Sequence, residues 1–285
     1  MQEPTHAIVL TADPGVGLSE TQLVQAQAQV PDASVTRLSD NAAELLTTAK
    51  ALPAVDGVDV NRIPLANRRK KLLIADMDST MIPVECIDEV ADFAGVREQV
   101  VAITEPAMRG EISFEEALYA RVALLEGLPE AKLQTVFDQR VSLNPGARTT
   151  IQTMRANGAY CALVSGGFTF FTERVAAAAG FNEHRANTLL SQDGKLTGKV
   201  GEPVLGRQAK IEALEEISAR LGITPDDAIA VGDGANDLGM IGVAGLGVAY
   251  RAKPVVAEAA DAAINHGDLT TLLYLQGYRD AEFND

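Results

Sequence analysis

Two aspartates, Asp76 and Asp78, stand two residues apart in Asp76-Met77-Asp78-Ser79-Thr80, directly after the apolar run Leu72-Leu73-Ile74-Ala75. Side chains along an extended segment alternate between faces, so carboxylates two positions apart leave a strand on the same side. Such a pair suits nucleophilic catalysis, one carboxylate attacking an electrophile while the other moves a proton. Their shared negative charge calls for a divalent cation, and phosphoryl transfer is the chemistry that uses all three parts. By itself the pentapeptide reads equally as a strand end followed by an Asx turn, because Asp and Ser bond readily to nearby backbone groups.

Three further segments carry groups that would complete such a site. Val164-Ser165-Gly166-Gly167 places a hydroxyl and bare backbone amides ahead of a helix expected over about 168–179, an arrangement that attracts anions. Taken alone it is also a plain strand-to-helix turn. Lys210 falls at the start of an amphipathic helix expected to run to Leu221. A lysine there is usually a solvated surface charge, yet it opposes the helix dipole, and a phosphate partner would account for it. Val231-Gly232-Asp233-Gly234-Ala235-Asn236-Asp237 is a strand running into a glycine-rich loop, in which Asp233 and Asp237 offer hard oxygen ligands suited to Mg2+. An ordinary Gly/Asp/Asn turn is the alternative, and the earlier Asp-x-Asp argues against it.

The elements that must position these groups change character along the chain. From residue 72 onward, the short apolar runs Leu72 to Ala75, Tyr160 to Val164, Ala228 to Val231 and Leu246 to Ala249 read as strands buried on both faces. Helical stretches separate them, so the expected fold class is α/β with a doubly wound parallel sheet. All four segments then lie at the carboxyl ends of strands, where such sheets gather ligands. The stretch from Pro83 to Ser142 is too long for an ordinary crossover. It reads as helices over about 84–93, 96–107, 114–125 and 130–137, with Ser113 and Glu116 spaced as a capping box. This is a helical cap domain that would exclude water and select the substrate.

Ahead of this region lies a small α+β unit without reactive groups. Strands are expected over 6–12, near 34–38 and near 58–63, with helices over about 19–29 and from Asn41 to about Leu52. Pro64 to Lys71, polar and basic, reads as a linker. The expected division is 1–68 for the N-terminal domain, 69–83 with 143–285 for the catalytic core, and 84–142 for the cap.

Composition limits the partners. The 285 residues are 47% hydrophobic, enough for one large domain or two to three modest ones, and carry a net charge of −15. Long-range repulsion opposes binding to nucleic acid or an anionic membrane, which leaves a small molecule, with a homodimer open. Cys86 and Cys161 show no metal-ligand spacing and read as thiols in a reducing compartment. With no signal-peptide pattern and no apolar run near the roughly 20 residues of a membrane helix, the expected location is cytoplasmic.

Asp76 to Thr80, Ser165, Lys210 and Gly232 to Asp237 occur in the order found in phosphatases of the haloacid dehalogenase superfamily, which the chain resembles from residue 72 to about 275. Within it the chain is similar to the phosphoserine phosphatase family, through Asp78-Ser79-Thr80, Glu85, the stretch from Met108 to Arg121, Val164 to Phe168 and Val231 to Asp237. The resemblance implies hydrolysis of O-phosphoserine, the final step of serine biosynthesis, through an aspartyl phosphate on Asp76, with Asp78 as general acid and then base. It also implies Mg2+ held by Asp76, the backbone carbonyl of Asp78 and Asp233, and charge neutralisation by Ser165, the Gly166 amide and Lys210. Asn236 would touch the substrate or a metal-bound water, and Asp237 would orient Lys210 or a metal ligand. In the cap, Glu85 would meet the substrate ammonium and Arg121 its carboxylate, with Met108 and Phe114 as the apolar wall. Another small phosphorylated metabolite, or a phosphotransferase reaction, is the alternative on the same core. A non-catalytic amino-acid sensor would carry a broken motif, and none is broken. The hairpin signal from Leu189 to Thr197, with Asp193-Gly194 at its turn, fits the β-flap of family members. The N-terminal unit resembles an ACT-like module one strand short, and a dimerising role fits it equally.

Overall fold

The computed structural model describes residues 3–108 and 111–284, the side chain of Met108 apart. The chain opens with β1 (His6–Ala12), α1 (Glu20–Gln29), β2 (Ser34–Arg37), β3 (Ala42–Thr47) and β4 (Val58–Pro64), which form an antiparallel sheet in the order β2-β3-β1-β4. Both faces of this sheet are covered. Ile8, Leu10, Ala43 and Leu45 meet Leu23 and Ala26 of α1, whereas Ala7, Val9, Ala42 and Ile63 join the large core shared with the remainder of the chain.

The helix expected from Asn41 to about Leu52 is not there; Ala42–Thr47 is strand β3. Ala, Glu and Leu favour a helix by only a few tenths of a kcal/mol each. Pairing with β1 on one side and β2 on the other, with burial of both faces, outweighs that preference. The sheet therefore has four strands, one more than the sequence suggested. What it lacks, relative to a β-α-β-β-α-β unit, is the second helix, whose place residues 48–57 take without regular structure.

β5 (Leu72–Ala75) then leads into the helical insertion: α2 (Cys86–Ala94), α3 (Arg97–Met108), α4 (Phe114–Ala123) and α5 (Ala131–Arg140). Ser113 caps α4 through the expected box, its Oγ accepting from the Glu116 amide and its own amide donating to the Glu116 carboxylate. The chain returns through α6 (Ala147–Ala156), β6 (Tyr160–Phe168), α7 (Thr169–Ala179) and β7 (Glu183–Asn187). A hairpin of β8 (Leu189–Gln192) and β9 (Lys195–Val200) follows. Asp193 and Gly194 at its turn both have positive φ, as a two-residue primed turn requires. Then come α8 (Arg207–Leu221), β10 (Ala228–Gly232), α9 (Leu238–Val243), β11 (Leu246–Tyr250), α10 (Pro254–Ala259), β12 (Ala262–Ile264) and α11 (Thr271–Leu275).

Six of these strands form a parallel sheet in the order β12-β11-β10-β5-β6-β7. Numbered by occurrence in the chain the order is 6-5-4-1-2-3, which is doubly wound and reverses direction between β5 and β10. A crevice opens at the carboxyl ends of that pair. Both faces of the sheet are buried: Leu72, Ile74, Ala162 and Ala230 pack against Ala213, Leu214 and Ile217 of α8, and Leu73, Leu163 and Val231 face the larger core with α6 and α7. Such burial explains the unbroken apolar runs.

The basic segment after β4 is not a free tether. Arg68 pairs with Glu44 at 2.7 Å and donates to the carbonyls of Leu275 and Tyr274. Asp59 accepts from the amides of Asn265, His266 and Gly267, and Asn61 exchanges two hydrogen bonds with the Ala263 backbone beside β12. No helix among the described residues is long and apolar enough to cross a membrane.

Candidate active site

The crevice between β5 and β10 receives the acidic groups. Asp76 follows β5 immediately, its amide bonding to the Val231 carbonyl, and its side chain is 7% exposed. Its Oδ1 lies 2.6 Å from Lys210 Nζ, which sits on the first turn of α8 and is 1% exposed. The same Nζ lies 2.6 Å from Asp237 Oδ1. Lys210 is therefore no surface charge. It joins the residue after β5 to the residue that opens α9.

Asp237 has a second task. Its Oδ2 accepts from the amides of Asp233 and Gly234, at 3.2 and 3.0 Å, and so closes the acidic loop on itself. Gly232 is required for this closure, because a Cβ there would lie 2.4 Å from the Asp237 carboxyl carbon. Asp233 is half-buried, and one of its oxygens accepts from Thr80 Oγ1 at 3.1 Å. Asp76, Asp233 and Asp237 each offer an oxygen within 4.8 Å of the others, as ligands of one metal ion would.

Asp78 sits across the crevice from Lys210. Its backbone turns sharply, with Ser79 in the left-handed region at φ 56°, and its Oδ1 accepts from the Cys86 amide at the start of α2. The other oxygen presses on β6: a Cβ at Gly167 would lie 2.7 Å from Asp78 Oδ2 and 3.1 Å from Ser165 Oγ. Ser165, 1% exposed, accepts from the Gly167 amide at 2.9 Å, which leaves its own proton to donate elsewhere. The sequence places this hydroxyl and the glycine amides at a helix N-terminus. The structure puts Ser165 to Gly167 inside β6 instead, and α7 starts only at Thr169. Continuation of the strand is what brings them level with Asp78.

Electrostatics follow from this crowding. Burial, and then Asp237, raise the pKa of Asp76 well above the usual carboxylate value, with Lys210 opposing. Burial and Glu85 push Asp78 up to about 7, against the stabilising Cys86 amide. Burial and Asp237 push Asp233 to about 6. For Lys210 burial acts to lower the pKa, but Asp237 and Asp76 outweigh it and hold the ammonium above its ordinary value. Four carboxylates thus face one buried cation. A divalent ion would relieve that imbalance, and the oxygen-only donor set suits Mg2+.

The insertion closes over this crevice. Phe114, half-buried at the start of α4, stacks its ring against Gly166 and Gly206. Arg121, on the same helix, donates to Ala117 O and reaches toward Thr104 Oγ1. Burial lowers its pKa, and Asp88, Glu85 and Asp78 are the acids that oppose the shift. Glu85 is exposed at the N-cap of α2 and accepts from Ser79 Oγ at 2.7 Å. Asn236 is exposed on the acidic loop, its amide folded over Gly234. The Met108 side chain lies outside the described residues. The β8–β9 hairpin braces the insertion from the core side, the Gly127 amide donating to Leu196 O and the Leu196 amide to Leu128 O, and just beyond the hairpin Glu202 accepts from the Tyr119 hydroxyl.

Two site residues, Asn144 and Asn187, escaped the sequence reading, and a third, Thr80, entered it only as part of a motif, without a role. Thr80, fully buried, holds Asp233; Asn144 holds the Thr80 carbonyl at 2.7 Å; and Asn187 binds the Gly166 carbonyl at 2.9 Å. Only Thr80 carried a signal, its place within the acidic pentapeptide.

Comparison with known proteins agrees with this geometry. Residues 73–241 match the family of haloacid dehalogenase-like hydrolases. A phosphoserine phosphatase of Polaromonas sp. is 51% identical over 210 residues, covering 72% of this chain and 89% of that one. Among solved structures, a haloacid dehalogenase-family hydrolase from Salmonella enterica serovar Typhi superposes with a TM-score of 0.83 at 31% identity, over 95% of this chain and 98% of the other. A substrate-bound phosphoserine phosphatase complex superposes with a TM-score of 0.67 at 43% identity, over 72% of this chain and 97% of the other. The doubly wound sheet, the paired aspartates at its switch point and these likenesses agree: the chain belongs to the haloacid dehalogenase-like hydrolases, in their phosphoserine phosphatase branch.

Proposed function

We propose that this protein hydrolyses O-phosphoserine to serine and phosphate, the last step of serine biosynthesis, by way of a phosphoryl group carried on Asp76. The observation that supports this most is the trio of Asp76, Lys210 and Asp237 at the sheet's switch point, with Asp78 and Ser165 facing it from the other side. Asp76 attacks phosphorus, and a carboxylate with its charge partly neutralised can approach an anionic phosphate that a bare one would repel. Asp78, pushed up to about 7, holds a proton near neutrality and can give it to the departing serine oxygen. After the ester bond breaks, the same carboxylate takes a proton from the incoming water, which displaces Asp76 from phosphorus. The Ser165 hydroxyl, the Gly166 amide and Lys210 neutralise charge on the transferred group.

Mg2+ would be held by Asp76, Asp233 and the Asp78 carbonyl, and when bound it supplies positive charge opposite the phosphoryl oxygens. Asp237 keeps its lone pairs on Lys210 and two loop amides and so serves by holding the loop. Arg121 and Glu85 are suited to the carboxylate and ammonium of the substrate, and Phe114 to its apolar wall, Met108 being assigned there by family likeness alone. A panel of O-phosphoserine, O-phosphothreonine and phosphoethanolamine, each with Mg2+ and with chelator, tests the whole reading. Phosphate release should be fastest from phosphoserine and should stop with chelator. Faster release from another substrate moves the specificity elsewhere, and no release from any removes the enzyme.

A further inference from the structure

The ladder between β6 and β7 breaks at the place where the phosphate would sit. Val164 pairs with Arg185 and Phe168 with Asn187, so four steps on β6 oppose two on β7, and Ser165, Gly166 and Gly167 pair in neither neighbouring ladder. A bulge frees backbone groups for a ligand, but those that do not face the ligand still need partners. Asn187, the last residue of β7 and 2% exposed, supplies them. Its Nδ2 donates to Gly166 O at 2.9 Å and to Leu205 O at 3.1 Å, and its Oδ1 accepts from the Leu205 amide at 2.7 Å.

We infer that Asn187 is a positioning residue that sets both anion-facing elements, the Ser165–Gly167 bulge and the start of α8 that delivers Lys210. The first arm runs through one peptide plane. Fixing the Gly166 carbonyl fixes the Gly167 amide on the same plane, that amide donates to Ser165 Oγ, and the hydroxyl proton is left for a phosphoryl oxygen. The second arm runs through Leu205, which precedes Gly206 and the first turn of α8 with Lys210. Both donor hydrogens and the acceptor of the amide are used, so an isosteric acid cannot replace it: Asn187→Asp would set a carboxylate against two carbonyls. Asn182 offers a matched comparison, because its Oδ1 accepts from the Cys161 amide at the far end of the same strand pair and touches no part of the site.

This inference rests on the proposed phosphatase reading, and the test separates the two. Asn187→Ala, Asn187→Ser and Asn182→Ala are assayed beside wild type with phosphoserine and with para-nitrophenyl phosphate, and their thermal midpoints are measured. With the bulge loosened, kcat should fall about tenfold or more on both substrates, because a displaced oxyanion donor weakens the transition state. KM for phosphoserine should change less than kcat, and Asn182→Ala should lower the midpoint without lowering kcat. Wild type inactive on both substrates would overturn the phosphatase reading and this inference with it. Active wild type with Asn187 variants that keep kcat within about twofold, or with Asn182→Ala losing as much, would overturn the inference alone, as would failure of both Asn187 variants to fold.

Discussion

Lys210→Met removes one ammonium and leaves most of the side-chain volume, so the response reports charge. In the native protein the Nζ lies 2.6 Å from each of two carboxylates whose side chains are 7% and 0% exposed. Removing one member of a buried ion pair costs about 3–5 kcal/mol, because the survivor is left charged and unsolvated. Asp237 keeps two backbone donors, and Asp76 can take up a proton, so the lower part of that range, about 3 kcal/mol, applies here. For a chain of this size that is a drop of roughly 6–12 °C in the thermal midpoint.

The pH dependence of the loss identifies its cause. Asp76 already has a raised pKa in the folded state, with Lys210 opposing the rise, and the substitution removes the opposition. An acid whose folded pKa exceeds its unfolded one contributes fully at low pH and loses that contribution as pH rises through the folded value. The gap between variant and wild type should therefore widen from pH 5 to pH 8 in metal-free buffer. Added Mg2+ should narrow it, since a cation held by the same acids restores part of the missing charge. Thermal unfolding followed by circular dichroism across that range, with chelator and then with Mg2+, reads both effects. A loss below about 1 kcal/mol that does not change with pH would refute the reasoning and mean that the pair contributes nothing beyond its packing.

Asp76→Asn should abolish phosphate release while leaving the metal-free midpoint no lower than wild type, since it removes one of four crowded acids; steady-state turnover in a pure sample would reassign the attack. Arg121→Ala should lower kcat/KM for phosphoserine by about a hundredfold, the loss of a bidentate charged contact, and leave an aryl phosphate within about threefold; equal losses would place Arg121 in the chemistry. Gly167→Ala drives a methyl against Asp78 Oδ2 and Ser165 Oγ and should reduce kcat at least about tenfold, with KM less affected; unchanged kcat would mean the crevice yields easily. At Glu183 burial acts to raise the pKa, but hydrogen bonds from Arg220, Tyr160 and Arg185 prevail and lower it, so its contribution exists above the unfolded carboxylate value and fades as pH falls through the folded one. Glu183→Gln should thus be less stable than wild type at pH 7, by ~1 kcal/mol or less given the exposure of the network, with the two curves converging near pH 3.

The parallel sheet was legible because its strands are buried on both faces and so spell continuous apolar runs. The edge strands were not. β7 reads Glu183-His184-Arg185-Ala186-Asn187 and β12 is three residues long, and charged or short edges are how sheets avoid further pairing. β3 misled in the opposite direction, since Ala42-Ala43-Glu44-Leu45-Leu46 has helical preferences that only its neighbours overrule. Those neighbours include the remainder of the protein: the face of β3 that bears Ala42 and Glu44 turns toward Arg68 and the shared core. β2 lies close by in the chain, but β1 and Arg68 are more than twenty positions away, beyond the reach of a local pattern.

The site divides along a related line. Asp76, Asp78, Asp233 and Lys210 are visible in the sequence because each violates a local rule: carboxylates directly after apolar strands, a lysine at the positive end of a helix. Such violations persist only where a ligand or a counter-charge compensates them, and the structure supplies the counter-charge by burying Lys210 between two acids. Thr80, Asn144 and Asn187 violate nothing. They are neutral, hydrogen-bonded groups whose partners lie well away in the chain, 153 residues away for Thr80 and 64 for Asn144. What composition and spacing reveal is where charge is under stress. The neutral amides that hold the stressed groups in register emerge only from three-dimensional contact, so substitutions at Asn144 and Asn187 probe what the sequence leaves silent.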